Sequence, residues 1–421
     1  MDKDKLDIKM ITKSNDSRQS TTQTNCFKIW GLRITLIVLL LGSLGACQPD
    51  ETNAIRIVAS LPLSPDKSGL GWDTAQGMLL AIEEANYQAG DFIVEFELLD
   101  ASGPDDDILV PEREEANAKK AAADAEVLIY LGNSYSSGCK VGIPILNQAG
   151  LAQISPGATY PGLTKQGFAA GEPAIYYPSG ERTFFRVVTT DDMQGPAGAF
   201  WAQDQGMERV YIVEQEDIYG QGLSRAFNQI AQIIDLNVVG TSTVAEGQNT
   251  GLETLVADIA AQQPDLIYYT GFRSGAVPLI QALKQGDVTT SFMGGDGIFT
   301  PALIEELGPD AEGIMATFTG LSVDQLDDSE GFTQRYEDRF GTQPGGWSIP
   351  GYDAMNIALA AIAQAGQAER ATVLNSLRYI NHDGLAGHYS FDQNGDTSLL
   401  LISGMYVQDG QWHSEGLLRV Q

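Results

Sequence analysis

Residues 129–164 read IYLGNSYSSGCKVGIPILNQAGLAQISPGATYPGLT, and two short strand-like stretches at this point decide the fold. Residues 127–131 (VLIYL) lead into Gly132-Asn133-Ser134-Tyr135-Ser136-Ser137-Gly138, and residues 152–154 lead into Ser155-Pro156-Gly157-Ala158-Thr159. An uninterrupted apolar run such as 127–131 predicts a strand buried on both faces of a parallel sheet. The loops that follow them hold small residues with hydroxyls and free backbone N–H groups, which suit an anion without needing a counter-cation. They also suit plain turns.

Outward from this block, strand-like and helix-like patterns alternate. Residues 55–61 (IRIVASL) predict a buried strand, and Ala75, Met78, Leu79 and Ile82 follow at helical spacing. Residues 92–99 (FIVEFELL) alternate with period two, and residues 210–213 (VYIV) form another short buried strand. A helix from Leu252 carries Leu255, Val256, Ile259 and Ala260 on one face, and Pro264 stops it before a strand over 266–269. Such alternation predicts an α/β fold with parallel sheets covered by helices. Residues 166–182, with three Gly and two Pro, predict a surface excursion from the first sheet.

The chain has 421 residues with 55 acidic and 25 basic side chains, a formal charge of −30. That balance excludes a nucleic-acid binder, which needs clustered cations. With 43% hydrophobic residues the chain has enough apolar material for a sizeable core. Near the N-terminus, residues 34–46 (ITLIVLLLGSLGA) follow Lys28 and Arg33. Thirteen apolar residues fall short of the about 20 needed to span a bilayer and fit a signal-peptide core. Leu44-Gly45-Ala46-Cys47 resembles a bacterial lipobox, which predicts cleavage before Cys47, lipidation of that cysteine and a membrane anchor. The plain alternative is a secretory signal cut at Ala46, with Cys47 a free thiol. Removal of residues 1–46 leaves 18 cations against 51 anions, and residues 47–53 serve as a tether.

Several apparently chemical signals have simpler readings. Asp392-Gln393-Asn394-Gly395-Asp396 begins like a calcium loop, but Ser403 stands where the closing glutamate belongs; a hairpin turn is the expectation. Asp105-Asp106-Asp107 reads as a solvated loop, and His382 and His388 as structural or exposed. Residues 47–421 contain no HExxH, GxSxG or GxxxxGK[ST] motif, and Cys139 has no histidine near it in sequence. No cofactor, no metal and no catalytic residue is expected.

In their order and spacing, six blocks resemble the branched-chain amino-acid binding proteins of ABC importers, which have the type I periplasmic binding fold. They are Gly77 in the first helix, residues 129–164, 212–227 (IVEQEDIYGQGLSRAF), 267–272 (IYYTGF), 292–297 (FMGGDG) and 311–317 (AEGIMAT). The resemblance implies two doubly wound parallel-sheet lobes joined by three crossovers near Val188, Phe318 and Asp396, with the ligand cleft between them. One lobe would be 54–188 plus 319–394, the other 189–318 plus 395–421. It further implies that Ser136 and Thr159, with the Gly157 backbone, hold a ligand carboxylate, and that Asp296 meets its ammonium together with the Gly157 carbonyl and the Thr159 hydroxyl. Tyr219 would close from the second lobe, and Phe272 sits where the family often has tyrosine. Leu70, Trp72, Tyr135, Tyr160 and Arg273 could border the side-chain pocket. Asp296 stands in place of a glutamate, one methylene shorter, and Cys139 has no partner for the family's short disulfide. For each residue a structural role as turn, cap or core aromatic is the alternative.

The function so implied is that of an extracytoplasmic lipoprotein, not an enzyme. It would act as a monomer, bind a hydrophobic, branched-chain or amide-like amino acid by hinge closure, and deliver it to an ABC permease. The competing expectation is an envelope interaction lipoprotein of the same fold, similar to penicillin-binding-protein activators. An exported hydrolase would need a nucleophile–base pair that the sequence does not offer.

Overall fold

All six residues of the strand Val127–Gly132 are buried, because helices cover both faces of the sheet it occupies. The computed structural model describes residues 53–65, 67–103 and 108–419. The leader, Cys47, most of the tether and Asp105 to Asp107 lie outside the described residues. Among the described residues, no helix is long and apolar enough to cross a membrane.

The strand Ala54–Leu61 shows how period-two alternation serves two layers. Ile57, Ala59 and Leu61 pack with Ala75, Met78, Ala354 and Ile357 from the helices Gly69–Glu84 and Ser348–Ala365. Val58 points the other way, toward Ala118 and Leu146 of Pro111–Ala123 and Ser136–Gln148. The sheet runs, in spatial order, Gln88–Ala89, Phe92–Asp100, Ala54–Leu61, Val127–Gly132, Ala152–Ser155 and Phe184–Arg186. A second sheet runs Gln411–Leu417, Ser403–Gln408, Met315–Phe318, Ser291–Gly294, Leu266–Thr270, Arg209–Gln215 and Asn237–Val244.

Two details refine the expected pattern. The sheets are parallel at their centres, but Gln88–Ala89 pairs antiparallel in the first, and Ser403–Gln408 and Gln411–Leu417 pair antiparallel in the second. Parallel neighbours need a helical crossover, whereas these strands follow tight turns or arrive from the other sheet. In the first helix Leu80 is buried and Leu79 only half-buried, because Leu80 packs with Leu326, Phe332, Tyr336 and Ile349, all distant in sequence.

The chain passes between the sheets after Arg186, after Phe318 and after the 391–397 turn, and these passages lie side by side. The Leu401 N–H donates to Thr189 Oγ1 at 2.9 Å, Ser403 Oγ donates to the Gly320 carbonyl at 2.7 Å, and Arg186 and Asp396 form an isolated bridge. The stretch from Asp392 to Asp396 is the expected turn, with Asp392 Oδ1 accepting from the N–H groups of Asn394 and Asp396. The excursion over 166–182 builds its own small core, in which Tyr176 and Tyr177 pack with Cys139, Ile143 and Phe184. It also reaches the other side of the cleft, where the Phe168 carbonyl accepts from Arg225 Nη1 at 3.0 Å.

Candidate functional site

The first wall of the cleft begins at Gly132, whose φ of +112° and 2.3 Å approach of a Cβ to the Ser60 carbonyl exclude other residues. From there Asn133 organises the loop. Its Oδ1 accepts from the Tyr135 N–H at 2.9 Å, its Nδ2 donates to buried Glu114 at 3.0 Å, and its carbonyl accepts from Ser155 Oγ at 2.7 Å. Ser155 Oγ in turn accepts from the Ala158 N–H at 2.9 Å, which ties the two strand-end loops together. Gly157 is packed tightly enough that a Cβ would lie 2.9 Å from the Ser134 carbonyl and 3.1 Å from Trp347.

Ser136 opens the helix Ser136–Gln148. Its hydroxyl oxygen accepts from the Tyr160 N–H at 3.1 Å, which leaves the hydroxyl proton free to donate into the cleft. The buried Arg186 guanidinium holds the carbonyls of Ala158 and Tyr160 at 2.8 and 2.9 Å and bonds Asp396 at 2.7 Å, so the loop bearing Thr159 is fixed from behind.

The second wall comes from the other sheet. Tyr219 lies on the helix Ile218–Ile233, whose cap Asp217 accepts from the Gly220 N–H at 2.7 Å. The Tyr219 hydroxyl donates to Asp296 Oδ1 at 2.6 Å and accepts from the Gly297 N–H at 3.1 Å, and Thr319 donates to Asp296 Oδ2 at 3.0 Å. Asp296 does not cap the helix Pro301–Leu307; Thr300 does. Burial pushes the Asp296 carboxyl up to about 6 against these hydrogen bonds. Phe272 stacks on Tyr135 across the cleft, with centroids 3.9 Å apart and planes 9° from parallel. Such a pair contributes about 0.5–1.5 kcal/mol beyond its buried area, little enough for the walls to part.

Leu70, Ser136, Gly157, Thr159, Tyr219, Phe272 and Asp296 thus line one narrow cavity, and the Tyr135 ring lies against Phe272. The remaining candidates point elsewhere. Trp72 donates to the Ser64 carbonyl at 2.6 Å, Tyr160 turns its hydroxyl to Glu172 at 2.9 Å, and Arg273 pairs with Glu306. Arg273 is therefore no argument for an acidic ligand. Cys139 is buried with its thiol pushed up to about 12 by burial, the state of an inert core residue. Among the described residues, no cluster of His, Cys, Asp and Glu side chains could hold a metal ion.

Sequence reasoning missed Ser134, Gly297 and Trp347, which also line the cavity. It missed Asp191 as well, a fully buried side chain at the start of the helix Asp191–Asp204. The Asp191 N–H donates to the Thr159 carbonyl at 3.0 Å, and neither carboxylate oxygen meets a donor in hydrogen-bonding geometry. An acid following two threonines reads in sequence as an ordinary helix start, so no local signal marks it.

Residues 54–411 match the model of the family described as periplasmic binding protein, and the chain belongs to that family. By that membership it is a solute-binding protein. The leucine-, isoleucine-, valine-, threonine-, and alanine-binding protein of Pseudomonas aeruginosa is 24% identical over 348 residues, 82% of this chain and 87% of the relative. A solved leucine-binding protein from Thermotoga maritima superposes with a TM-score of 0.75 at 24% identity, covering 87% of this chain and 99% of the other. A solved solute-binding protein of an ABC transporter from R. palustris, in complex with benzoate, superposes with a TM-score of 0.74 at 17% identity, covering 87% and 98%. These two likenesses confirm the type I periplasmic binding fold.

Proposed function

We propose that the exported body is the receptor of an ABC importer for an amino acid, anchored to a membrane through lipidated Cys47. The observation that carries this reading is the opposition, in one cavity, of hydroxyl donors on one wall to a carboxylate on the other. An amino-acid zwitterion has both charges met in that arrangement, so neither is buried unpaired. Ser136 and Thr159 take the carboxylate, assisted by the N-terminus of Ser136–Gln148, with Gly157 leaving room for it between them. Asp296 takes the ammonium, and Leu70, Tyr135, Tyr219, Phe272 and Trp347 enclose the side chain. Branched-chain and other hydrophobic amino acids suit these apolar surfaces, and amide side chains suit the unpartnered Trp347 Nε1 and Ser134 Oγ.

The moving parts are two lobes, 54–188 plus 319–394 and 189–318 plus 395–421, hinged at the three adjacent passages. Ligand stabilises the closed form by its greater affinity for that form, and the closed monomer hands its ligand to the permease. Titration calorimetry of refolded, ligand-free protein against the twenty amino acids and benzoate tests the reading. Saturable heat with at least one amino acid and none with benzoate is expected; no heat with any amino acid sinks it.

A further inference from the structure

Residues 166–182 run between the strands Ala152–Ser155 and Phe184–Arg186, contribute no side chain to the cavity lining, and still touch the opposite wall. Their anchor is Glu172, a buried side chain whose Oε2 accepts from the Tyr160 hydroxyl at 2.9 Å and whose Oε1 accepts from the Tyr176 hydroxyl at 2.6 Å. Gly162 makes room for that carboxylate, since a Cβ there would stand 2.2 Å from Glu172 Oε2. Tyr160 directly follows Thr159, and its N–H donates to Ser136 Oγ at 3.1 Å. Glu172 thus fixes the ring of the residue whose backbone joins the two loops of the first wall.

Facing this ring is the helix Ile218–Ile233, which carries Tyr219 into the cavity. Ile218, Gly222 and Arg225 lie at i, i+4 and i+7, on one face of that helix. Each meets the excursion or the ring it fixes. Ile218 and Phe168 both pack against the small core that holds Tyr160, Tyr176 and Tyr177. Gly222 comes so close to Tyr160 that a Cβ on it would stand 2.7 Å from the ring. Arg225 Nη1 donates to the Phe168 carbonyl at 3.0 Å, and the Phe168 ring stands edge-on to Tyr160 with centroids 6.0 Å apart. The small core is therefore completed from both sides of the cleft, and opening at the hinge pulls all three contacts apart. Contacts present in only one form bias the equilibrium toward it, and a form held by more contacts is left more slowly.

We propose that residues 166–182 are a clasp on the rim of the cleft, with Glu172 as its positioning residue. The clasp seats the helix Ile218–Ile233 on Tyr160 and lengthens the stay of the solute in the closed form. This rests on the hinge-closure reading above and on no particular solute, since neither Glu172 nor Arg225 lines the cavity. The cavity decides which solute binds; the clasp decides how long any of them stays.

The test compares wild type with Arg225→Ala and Glu172→Gln, with folding checked by circular dichroism and thermal melting. Arg225 is exposed, so its truncation leaves the core intact and decides the matter alone should Glu172→Gln misfold. Stopped-flow measures association and dissociation of the two tightest-binding of the twenty amino acids. Both variants are expected to release each amino acid at least threefold faster, to associate within twofold of wild type, and to keep the ratio of the two affinities within twofold. A rise in release of less than threefold in Arg225→Ala overturns the proposal. Slower association or a changed affinity ratio also overturns it, because either marks a distorted site instead of a lost clasp. If wild type binds none of the twenty amino acids, the amino-acid reading falls and small-angle X-ray scattering of the solute-free proteins judges the clasp. A larger radius of gyration is then expected for Arg225→Ala than for wild type, and equal radii overturn the clasp.

Discussion

Across the cleft, the wall from the first sheet presents Ser134, Ser136, Gly157 and Thr159, whereas the wall from the second presents Tyr219, Phe272, Asp296 and Gly297. The first wall carries no charge of its own and is braced from behind by Ser155, Asn133 and Arg186. The second carries an ionisable acid whose oxygens are already bonded by Tyr219 and Thr319. A wall of fixed neutral donors orients an anion without reorganising. A wall with a titratable acid supplies charge and can be switched by pH. On the proposed function, orientation and charge recognition fall to opposite walls, and neither is complete until the cleft closes.

The largest break in that division is Asp296→Ala. Removing one partner of a buried charge pair costs about 3–5 kcal/mol, which corresponds to roughly 150- to 5,000-fold in affinity. Calorimetry is expected to show that loss for an amino acid, with a much smaller change for its des-amino counterpart. Equal losses for both ligands would mean that the second wall does not carry the charge recognition.

A smaller effect is expected on the first wall. Ser136→Ala and Thr159→Val each remove a hydrogen bond to a charged group, worth about 1.5–3 kcal/mol, or roughly 10- to 150-fold. Here the amino acid and its des-amino counterpart should weaken together, because both keep the carboxylate. A loss confined to the amino acid would show that these hydroxyls serve the ammonium instead.

Much of this was legible in the sequence, for identifiable reasons. Both strand-end loops of the first wall announce themselves, because an apolar run followed at once by small hydroxyl residues is a local pattern. The centres of both sheets follow from the same runs. What escaped depends on contacts distant in sequence. Trp347 reaches the cavity from nearly two hundred residues beyond Gly157. Leu79 and Leu80 are adjacent leucines, and packing with Leu326, Phe332, Tyr336 and Ile349 decides that Leu80 is the buried one. Arg273 looked available to a ligand until Glu306 was seen to occupy it. Asp191 resembles any acidic helix start until Thr159 and Gly222 are found beside it.

The pH dependence gives the mildest and most discriminating probe of the two walls. With the Asp296 carboxyl pushed up to about 6, it is ionised above that pH and protonated below it, and only the ionised form attracts an ammonium. Affinity for an amino acid should therefore fall by up to tenfold per pH unit below about 6. Stability of the ligand-free protein runs the other way. Asp296, like Asp73 and Asp353, each near 6 through burial, holds its proton more tightly folded than unfolded. Its stabilising contribution is complete below the ordinary carboxylate range of about 4 and is lost as pH rises through 6. Calorimetry between pH 4.5 and 8 on wild type, Ser136→Ala and Asp296→Asn separates the walls. Ser136→Ala should lower the whole profile and keep its shape, whereas Asp296→Asn should flatten the limb below pH 6. An unchanged limb in Asp296→Asn would move the titrating charge off the second wall.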